Sequence, residues 1–408
     1  MSRPVQALLG AAAIVALAAG GAAAQTELRV ITAHYSDATP GIFEAMAAEF
    51  EKANPGIEVR IEDVSWDNLQ QRLTTDIVGG TAPDIAIIGT RWLVDYAEQG
   101  IAEPLDDYIT PEVKGRFIET FLAPSQIDGK SWGLPVAASA RAMYYNKTLL
   151  EKAGVDGPPA TWDELVAAAR KVKELEGDVY GFAMQGKEIE TDAYWYYALW
   201  SHGGELIEDG KSGIASEAAV KAATLYKSMI DEGLTQPQPT GANRQDVEAL
   251  FKQGRAAMLL SGPWLRGQIA DEAPDLDYGI APIPEGTTQA TYGVTDSIMI
   301  FASSEDKDAA WKFLEEAVFS DKWRREFTLK EGFLPVFKSV AADPHFADDA
   351  RLKAFTDMLP HARFAPLIPN WEEMADITSA ALQQIYLGEA EPGPALEAAA
   401  AKIDALLR

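Results

Sequence analysis

Residue types that carry catalytic chemistry occur in this sequence, but their spacing supports no enzymatic site. The chain has no cysteine and no Gly-x-Ser-x-Gly segment, which removes two common nucleophile arrangements. Its histidines, His34, His202, His345 and His361, form no i, i+4 pair and no HExxH sequence, so a zinc site is not supported. The glycine-bounded segment Gly204–Ser212 has five residues where a phosphate loop needs four. We therefore predict a protein that is not an enzyme and needs no metal or cofactor.

Aromatic side chains offer binding chemistry instead. Trp264 follows the predicted apolar strand Ala256–Leu260 in a Ser-Gly-Pro-Trp turn, where a flat ring can stack on the apolar face of a sugar. The stretch Asp192–Trp200 is the densest aromatic segment of the chain. At helical spacing one of its faces packs into a core while another can look into a cleft, so both packing and ligand contact remain open for Tyr194 and Trp195.

Polar side chains follow two predicted strands in the first part of the chain. His34 comes after the first strand, and Thr90 and Arg91 come after the third. Ligands of parallel α/β sheets bind beyond the carboxyl ends of the strands, so we expect these residues to face a pocket for a hydroxylated ligand. A surface position for His34 and a helix-packing role for the neighbouring Trp92 are the alternatives.

The elements that must position these side chains alternate between strands and helices. Leu28–Thr32 and Ile57–Ile61 have strand patterns, and the intervening Ile42–Lys52 is an amphipathic helix. The unit repeats as a helix over Leu69–Ile77 and a strand over Asp84–Ile88. Repeated βαβ units predict an α/β fold in which helices cover a parallel sheet.

One segment, Pro135–Lys152, changes character at its centre. Small residues lead into the apolar strand Ala142–Tyr145, and a helical pattern that includes Leu150 begins at Asn146. This order resembles the signature of the family 1 bacterial extracellular solute-binding proteins, the group that contains maltose-binding protein. The resemblance extends over nearly the whole chain after its first residues. A strand followed by a helix is also common in any α/β protein, so a plain structural role for this segment remains an alternative.

The resemblance implies a two-lobed periplasmic binding protein fold of the type II-like class, with a ligand cleft between the lobes and three hinge crossovers. The implied lobes are residues 25–137 with 296–340, and residues 142–291 with 345–408. The implied crossovers lie near 138–141, 292–295 and 341–344. Within this arrangement the predicted strand Thr291–Phe301 resembles the second crossover, and the turn Gly332–Val336 resembles the third.

The resemblance also implies a function: the substrate receptor of an ABC importer for a sugar, oligosaccharide or polyol, which closes on its ligand by hinge motion. Its implied partners are the ligand and the permease subunits of the inner membrane, and we expect a monomer that binds no nucleic acid. The residues expected to wall the pocket or hydrogen bond to the ligand are Tyr194, Trp195, Trp264, Trp371, His34, Thr90, Arg91, Arg141 and Arg363.

Two arginines leave another ligand class open. If Arg141 and Arg363 both face the cleft, their guanidinium groups would suit a sugar phosphate, sulfonate or uronate. A salt bridge across the hinge is the alternative role for Arg141. Ala138 stands where some family members have an acidic residue, which argues against a simple maltodextrin ligand. A chemosensory protein that docks on a transmembrane signalling partner is a third interpretation.

Charge and the start of the chain bear on its location. The sequence has 35 Lys and Arg against 62 Asp and Glu, a formal net charge of −27, which disfavours nucleic acid and anionic membrane surfaces. Residues 1–24 have the pattern of a cleavable signal peptide: Arg3, an apolar stretch Ala7–Ala19, and small residues at Ala22–Ala24. That stretch is too short to span a membrane. Without cysteine there is neither a disulfide nor a lipid anchor, so we expect a soluble periplasmic protein.

Overall fold

Two β-sheets with helices packed against them organise the chain in the computed structural model, which describes residues 26–187 and 191–408. The predicted signal peptide, residues 1–24, lies outside the described residues. The first sheet contains five strands in the spatial order Ile57–Ser65, Thr26–His34, Ile85–Gly89, Val294–Ile300 and Leu134–Ser139. The second contains four strands in the order Tyr278–Ala281, Ala142–Asn146, Ala256–Ser261 and Tyr180–Ala183.

Both sheets are mixed, whereas the sequence pattern predicted parallel pairing. The βαβ units do pair in parallel, with Thr26 opposite Ile57 and Val30 opposite Ile85. The strand Val294–Ile300, however, returns from the second half of the chain and runs antiparallel to both of its neighbours. A strand that enters a sheet from a crossover, without a helix of its own, is free to take the antiparallel direction.

The helices and short strands have the following bounds. The α-helices are Thr39–Ala53, Trp66–Val78, Leu93–Glu98, Pro111–Arg116, Glu119–Leu122, Lys147–Lys152, Trp162–Lys173, Thr191–Ser201, Glu217–Asp231, Arg244–Lys252, Leu265–Glu272, Lys307–Phe313, Asp321–Glu331, Lys338–Ala341, Pro344–Ala347, Ala350–Thr356, Trp371–Tyr386 and Pro392–Leu406. The 3-10 turns are Thr90–Trp92, Ala123–Ser125, Pro239–Gly241 and Leu359–His361, and a π-helical turn spans Leu314–Val318. Three two-stranded ladders join Gln126–Ile127 to Lys130–Ser131, Ile207–Glu208 to Lys211–Ser212, and Thr291–Tyr292 to Ala362–Arg363.

The chain passes between the two sheets at two points that lie close to each other in space, since Arg141 and Thr291 are hydrogen bonded. It leaves the first sheet at Ser139 and enters the second at Ala142, with only two residues between. It returns at Gly293, where the strand predicted as continuous over Thr291–Phe301 is interrupted, because residues 291–292 pair with Ala362–Arg363 and the rest joins the first sheet. Short links of this kind allow two lobes to rotate about few torsions.

The turn Gly332–Val336 is not a passage between lobes. The Leu334 N–H donates to the carbonyl oxygen of Ala138 (2.9 Å), and the Ile118 N–H donates to that of Val336 (2.9 Å), so the turn is held in the first lobe. The next helix that contacts the second sheet begins at Ala350. Backbone pairing across a distance of nearly two hundred residues carries no local sequence signal, which is why the turn was misplaced.

Helix starts agree with local capping chemistry. Asn146 ends its strand and caps the following helix, since its side-chain oxygen accepts from the Leu149 N–H (3.0 Å). Thr161 accepts from the Glu164 N–H (3.2 Å), but the Glu164 carboxylate accepts from the Ala160 N–H and so closes an irregular capping box. These caps fix the residue at which each of the two helices begins.

Candidate functional site

A cavity of about 220 Å³ lies between the two sheets. One side comes from loops that follow strands of the first sheet, and the other comes from the second lobe and from the two crossovers. Its aromatic lining residues are Tyr35, Trp66, Trp92, Trp264, Tyr292, Phe333 and Phe364. Its charged lining residues are Asp67, Glu248, Asp296, Glu331, Arg91, Arg141 and Arg244, together with His34. Aromatic walls with balanced carboxylates and guanidinium groups suit a ligand rich in hydroxyl groups.

The first-lobe side begins at the end of the strand Thr26–His34. His34 contacts the carboxylate of Asp63 through Nδ1 (2.5 Å), and Thr32 donates to the same carboxylate from below (2.8 Å). The side chain of His34 is 38% exposed, so the ring is oriented by Asp63 while one edge remains accessible to the cavity.

Tyr35 is the half-buried partner of this wall. Its hydroxyl donates to Asp296 in the returning strand (3.0 Å), and its ring packs edge-on against Phe333. Burial, together with the Asp296 carboxylate, raises the pKa of Tyr35 well above the usual value of a phenol. The hydroxyl therefore stays a neutral donor that fixes Asp296 at the cavity.

Thr90 starts the 3-10 turn that follows the strand Ile85–Gly89. It is buried, and its hydroxyl lies within hydrogen-bond distance of Ser297 (2.7 Å) and accepts from Thr295 (3.0 Å). Thr90 borders the cavity, yet its hydroxyl is engaged inside the protein. Its contribution is to hold this loop against the returning strand.

Trp264 forms the second-lobe wall. The Tyr144 hydroxyl donates to the carbonyl oxygen of Gly262 (2.8 Å), and an ideal Cβ at Gly262 would lie 2.1 Å from the Trp264 ring, so only glycine lets the indole fold back. The indole Nε1 donates to Glu248 (2.8 Å), which also accepts from Ser261 (2.6 Å). The Gly-Pro-Trp turn thus places a rigid, half-buried ring at the cavity.

Two guanidinium groups lie against this ring. The Cζ atoms of Arg141 and Arg244 are 4.7 Å and 5.1 Å from the Trp264 ring centroid, within cation–π distance. Arg141 is buried in the first crossover and also donates to Ser139 (2.5 Å). Trp264 therefore organises two hydrogen-bond donors at the cavity, in addition to offering ring surface.

Arg91 lines the cavity and also bridges the lobes. Its Nε and a terminal nitrogen contact the two carboxylate oxygens of Glu372 at 2.7 Å and 3.0 Å, and the two side chains are 14% and 15% exposed. Beside this pair the Asn370 N–H donates to Asp95 (3.0 Å). A bidentate pair of this burial holds the start of helix Trp371–Tyr386 against the first lobe.

Four residues expected at the site do not line this cavity. Tyr194 and Trp195 are buried, with the Tyr194 hydroxyl within reach of the Ala183 and Leu260 carbonyl oxygens (3.3 Å and 3.1 Å) and the Trp195 indole donating to the Ala219 carbonyl oxygen (3.3 Å). Of the two interpretations left open for these residues, core packing agrees with their positions in the structure. Trp371 is also buried, against the ring of Tyr196, and Arg363 pairs with Glu205 (2.6 Å) at a separate pocket.

Several lining residues were missed from the sequence. Arg244 is the clearest case, and it is the first residue of the helix Arg244–Lys252. Asn243 accepts from the Asp246 N–H and Asp246 accepts from the Asn243 N–H, both at 2.9 Å. Recognising this capping box would have placed Arg244 at the first helical position, at the sheet edge. Asp296 and Glu331 have no such local signal.

Glu331 is a buried carboxylate at the cavity wall. It accepts from the Thr39 hydroxyl (2.7 Å) and is 4% exposed. Burial raises the pKa of Glu331, although hydrogen bonds from Thr39 and Ser36 oppose that shift. The folded protein therefore keeps this proton to a higher pH than the unfolded chain, and the free energy of unfolding falls as the pH rises from the usual pKa of a glutamate through the raised one.

Glu331→Gln is expected to increase the free energy of unfolding at neutral pH by roughly 1 kcal/mol, because a neutral amide removes the cost of a buried charge. Denaturant unfolding measured between pH 4 and pH 8 tests this. The Glu326→Gln control lies on the same helix, where the carboxylate is 40% exposed beside Lys330, and should leave the pH profile unchanged. A lower stability of Glu331→Gln at pH 7 would contradict the prediction.

Two further properties of the described chain bear on its class. Across residues 26–187 and 191–408, no group of His, Asp or Glu side chains is arranged to hold a metal ion. Within the same residues no helix combines the length and the apolar character that crossing a membrane requires.

Comparison with known proteins agrees with this geometry. The family described as bacterial extracellular solute-binding protein matches residues 36–322. A protein of Brucella abortus (strain 2308), named in general terms as a binding protein, is 56% identical over 404 residues and covers 98% of both chains. The maltotriose-binding protein of Pyrococcus abyssi is 28% identical over 335 residues, 81% of this chain and 71% of its own.

A solved structure is similar over nearly the full length. It is the ABC transporter solute-binding protein of Thermotoga lettingae bound with α-D-tagatose, with a TM-score of 0.87, 27% identity, and coverage of 94% of this chain and 100% of that one. The two-lobed α/β binding-protein fold predicted from the crossover signature is thereby confirmed. With its family match, its full-length relatives and its cavity between two sheets, the chain belongs to the bacterial extracellular solute-binding protein family.

Proposed function

We propose that this protein is the periplasmic substrate receptor of an ABC importer for a small neutral carbohydrate or polyol, and that it binds without catalysis. The observation that carries the proposal is the composition of the cavity. Four carboxylates, at Asp67, Glu248, Asp296 and Glu331, share it with three guanidinium groups and a tryptophan wall. Carboxylates accept hydrogen bonds from the hydroxyl groups of a sugar, and guanidinium groups donate hydrogen bonds to the oxygen atoms of the same hydroxyl groups. The aromatic rings contact the C–H face of the sugar.

The relatives support the same ligand class. The Pyrococcus protein is named for maltotriose, and the Thermotoga structure holds α-D-tagatose.

The cavity of about 220 Å³ is below the roughly 300–1,000 Å³ typical of small-molecule sites, which favours a ligand of one or two rings.

Closure about the crossovers supplies the transport signal. In this proposal residues 25–137 with 296–340 and residues 142–291 with 345–408 move as two lobes, with hinges near 138–141, 292–295 and 341–344. A ligand that contacts both lobes favours the closed form, and permease subunits of the inner membrane recognise that form. In this proposal the protein acts in the periplasm as a monomer that is exported through a signal peptide.

An anionic sugar derivative is the second candidate, since Arg141 and Arg244 lie together at Trp264. The balance of charge in the cavity disfavours it, and Arg363, on which this alternative also depended, lines a different pocket. A chemosensory role would use the same closed form with a different membrane partner.

Isothermal calorimetry and thermal unfolding of the chain from Gln25 test the proposal with monosaccharides, disaccharides, polyols, sugar phosphates and uronates. At 100 times its dissociation constant a neutral sugar should stabilise the protein by about 2.7 kcal/mol, and small-angle scattering should show compaction. Binding of the anionic compounds alone would favour the second candidate. If none of these compounds binds, the proposal of a carbohydrate receptor is refuted.

A further inference from the structure

The segment from Ala362 to Phe364 is fixed to the second crossover. Ala362 and Arg363 pair in parallel with Thr291 and Tyr292, and the Gly293 N–H donates to the carbonyl oxygen of Arg363 (2.8 Å). Because the crossover forms the floor of the cavity, this ladder holds the residues that follow it at the cavity edge.

Phe364 rests directly on Gly293. An ideal Cβ at Gly293 would lie 2.6 Å from the Cζ atom of Phe364, so the ring occupies the space that any other residue at 293 would need. Phe364 remains half-buried, and with Ala365 and Leu367 it lines the cavity. A large apolar ring that is held at a cavity wall without being fully buried is available for contact with a ligand.

A second, more open pocket is also lined by Phe364. Its lining includes Trp200, Glu205 and Arg363, and Phe364 is the residue that it shares with the main cavity. The Arg363 guanidinium and the Glu205 carboxylate are 2.6 Å apart and partly exposed. An aromatic residue with an accessible acid and base is the same kind of surface that the main cavity offers to hydroxyl groups.

We propose that Phe364 is the end wall of the ligand site and sets the number of sugar rings that the protein accepts. Phe364 borders both a cavity of about 220 Å³ and a pocket with similar chemistry, so removal of its ring should join the two and provide room for a further sugar ring. This inference rests on the proposed carbohydrate function. It concerns ligand length, which the family assignment leaves undetermined.

The test is calorimetry of wild type and Phe364→Ala with three probe series of one to four rings: α-1,4-linked glucose, β-1,3-linked glucose and β-1,4-linked galactose. In the series that binds, wild type should lose about tenfold or more in affinity at the first ring beyond its limit. In Phe364→Ala this loss should fall to less than about threefold, because the longer sugar has room. The variant should also bind the shorter sugars more weakly than wild type, because the contact with the Phe364 ring is gone. Phe364→Tyr keeps the ring and should keep the wild-type limit.

Two results would overturn the role of Phe364: a wild type that binds longer members as well as shorter ones, or a Phe364→Ala variant with an unchanged limit. If none of the three series binds wild type, the carbohydrate function is judged separately by the wider screen of sugars and polyols described above. A crystal structure of Phe364→Ala then still decides the question. Joined pockets would support the wall, and pockets that stay separate would refute it.

Discussion

Replacement of Trp264 by alanine is expected to weaken ligand binding by roughly 30- to 100-fold, about 2–2.7 kcal/mol. The reason is that the indole has several partners at once. It donates to Glu248, lies within cation–π distance of Arg141 and Arg244, and contacts the ring of Phe333 from the other lobe (5.7 Å between centroids). Its loss removes ring surface and also one contact of each of two guanidinium groups. Calorimetry with the sugar that binds most tightly measures the effect.

Two control variants separate these contributions. Trp264→Phe keeps a ring but cannot donate to Glu248, and it should show an intermediate loss of affinity. Trp371→Phe changes a tryptophan that is buried outside the cavity, and it should lower thermal stability while leaving affinity within about threefold. If Trp264→Ala itself stays within about threefold of wild type, Trp264 is not a ligand-binding residue.

The sequence predicted the fold well where the signals are local. The segment Pro135–Lys152 contains both ends of a crossover, and its cap at Asn146 is a single-residue signal that the structure reproduces. Strand and helix order in the first hundred residues follows from hydrophobic periodicity, with ends displaced by a few residues. Direction within the sheets was less accessible, since the strand Val294–Ile300 pairs with partners far away in the chain.

The lining of the cavity was predicted in part, for a physical reason that differs between residues. His34, Thr90 and Arg91 were found because they follow strands of one sheet, and the carboxyl ends of parallel strands meet at one edge. For Tyr194 and Trp195 the sequence left core packing and ligand contact open, because a helix that is apolar on every face does not show which side faces a cleft. In the structure the helix Thr191–Ser201 places both side chains in the core.

Arginine partners were the least predictable feature. Arg363 pairs with Glu205 and Arg91 pairs with Glu372, over separations of 158 and 281 residues. A chain with 62 acidic residues offers every arginine many possible partners, so only the folded geometry selects among them. The same argument applies to Arg244, whose place over Trp264 depends on how two elements of the second lobe pack.

A buried arginine below the first crossover gives the second large effect. Arg324 is 1% exposed, and its guanidinium donates to the backbone carbonyl oxygens of Val318 (2.5 Å) and Val136 (2.9 Å). Val318 ends the π-helical turn, and Val136 lies in the strand that leads into the crossover. The arginine therefore ties a helix end to the strand that enters the hinge.

Two opposing terms decide the outcome of Arg324→Met. Burial of the guanidinium charge is unfavourable, and it lowers the pKa of Arg324. Replacement by methionine removes this cost, and a well-packed apolar side chain at this position then favours the folded state. Two buried carbonyl groups, however, lose their donor, at about 1–3 kcal/mol each. The lack of a carboxylate among the bonds described above makes the relief of the buried charge larger, and it is opposed by the loss of both hydrogen bonds and of the cation–π contact with Phe327 (4.9 Å). We expect these losses to dominate, with a decrease of about 2–3 kcal/mol in the free energy of unfolding.

Urea unfolding of Arg324→Met and Arg324→Lys measures this balance. Lysine keeps a charge but its single ammonium group cannot span two carbonyls held in the guanidinium geometry, so Arg324→Lys should also be destabilised. Arg325→Met is the matched control on the next residue, because Arg325 is 45% exposed and pairs with Asp343 at the surface, where the loss should stay below about 1 kcal/mol. An Arg324→Met protein as stable as wild type would mean that charge burial outweighs both hydrogen bonds, and that the tie to the hinge strand contributes nothing to stability.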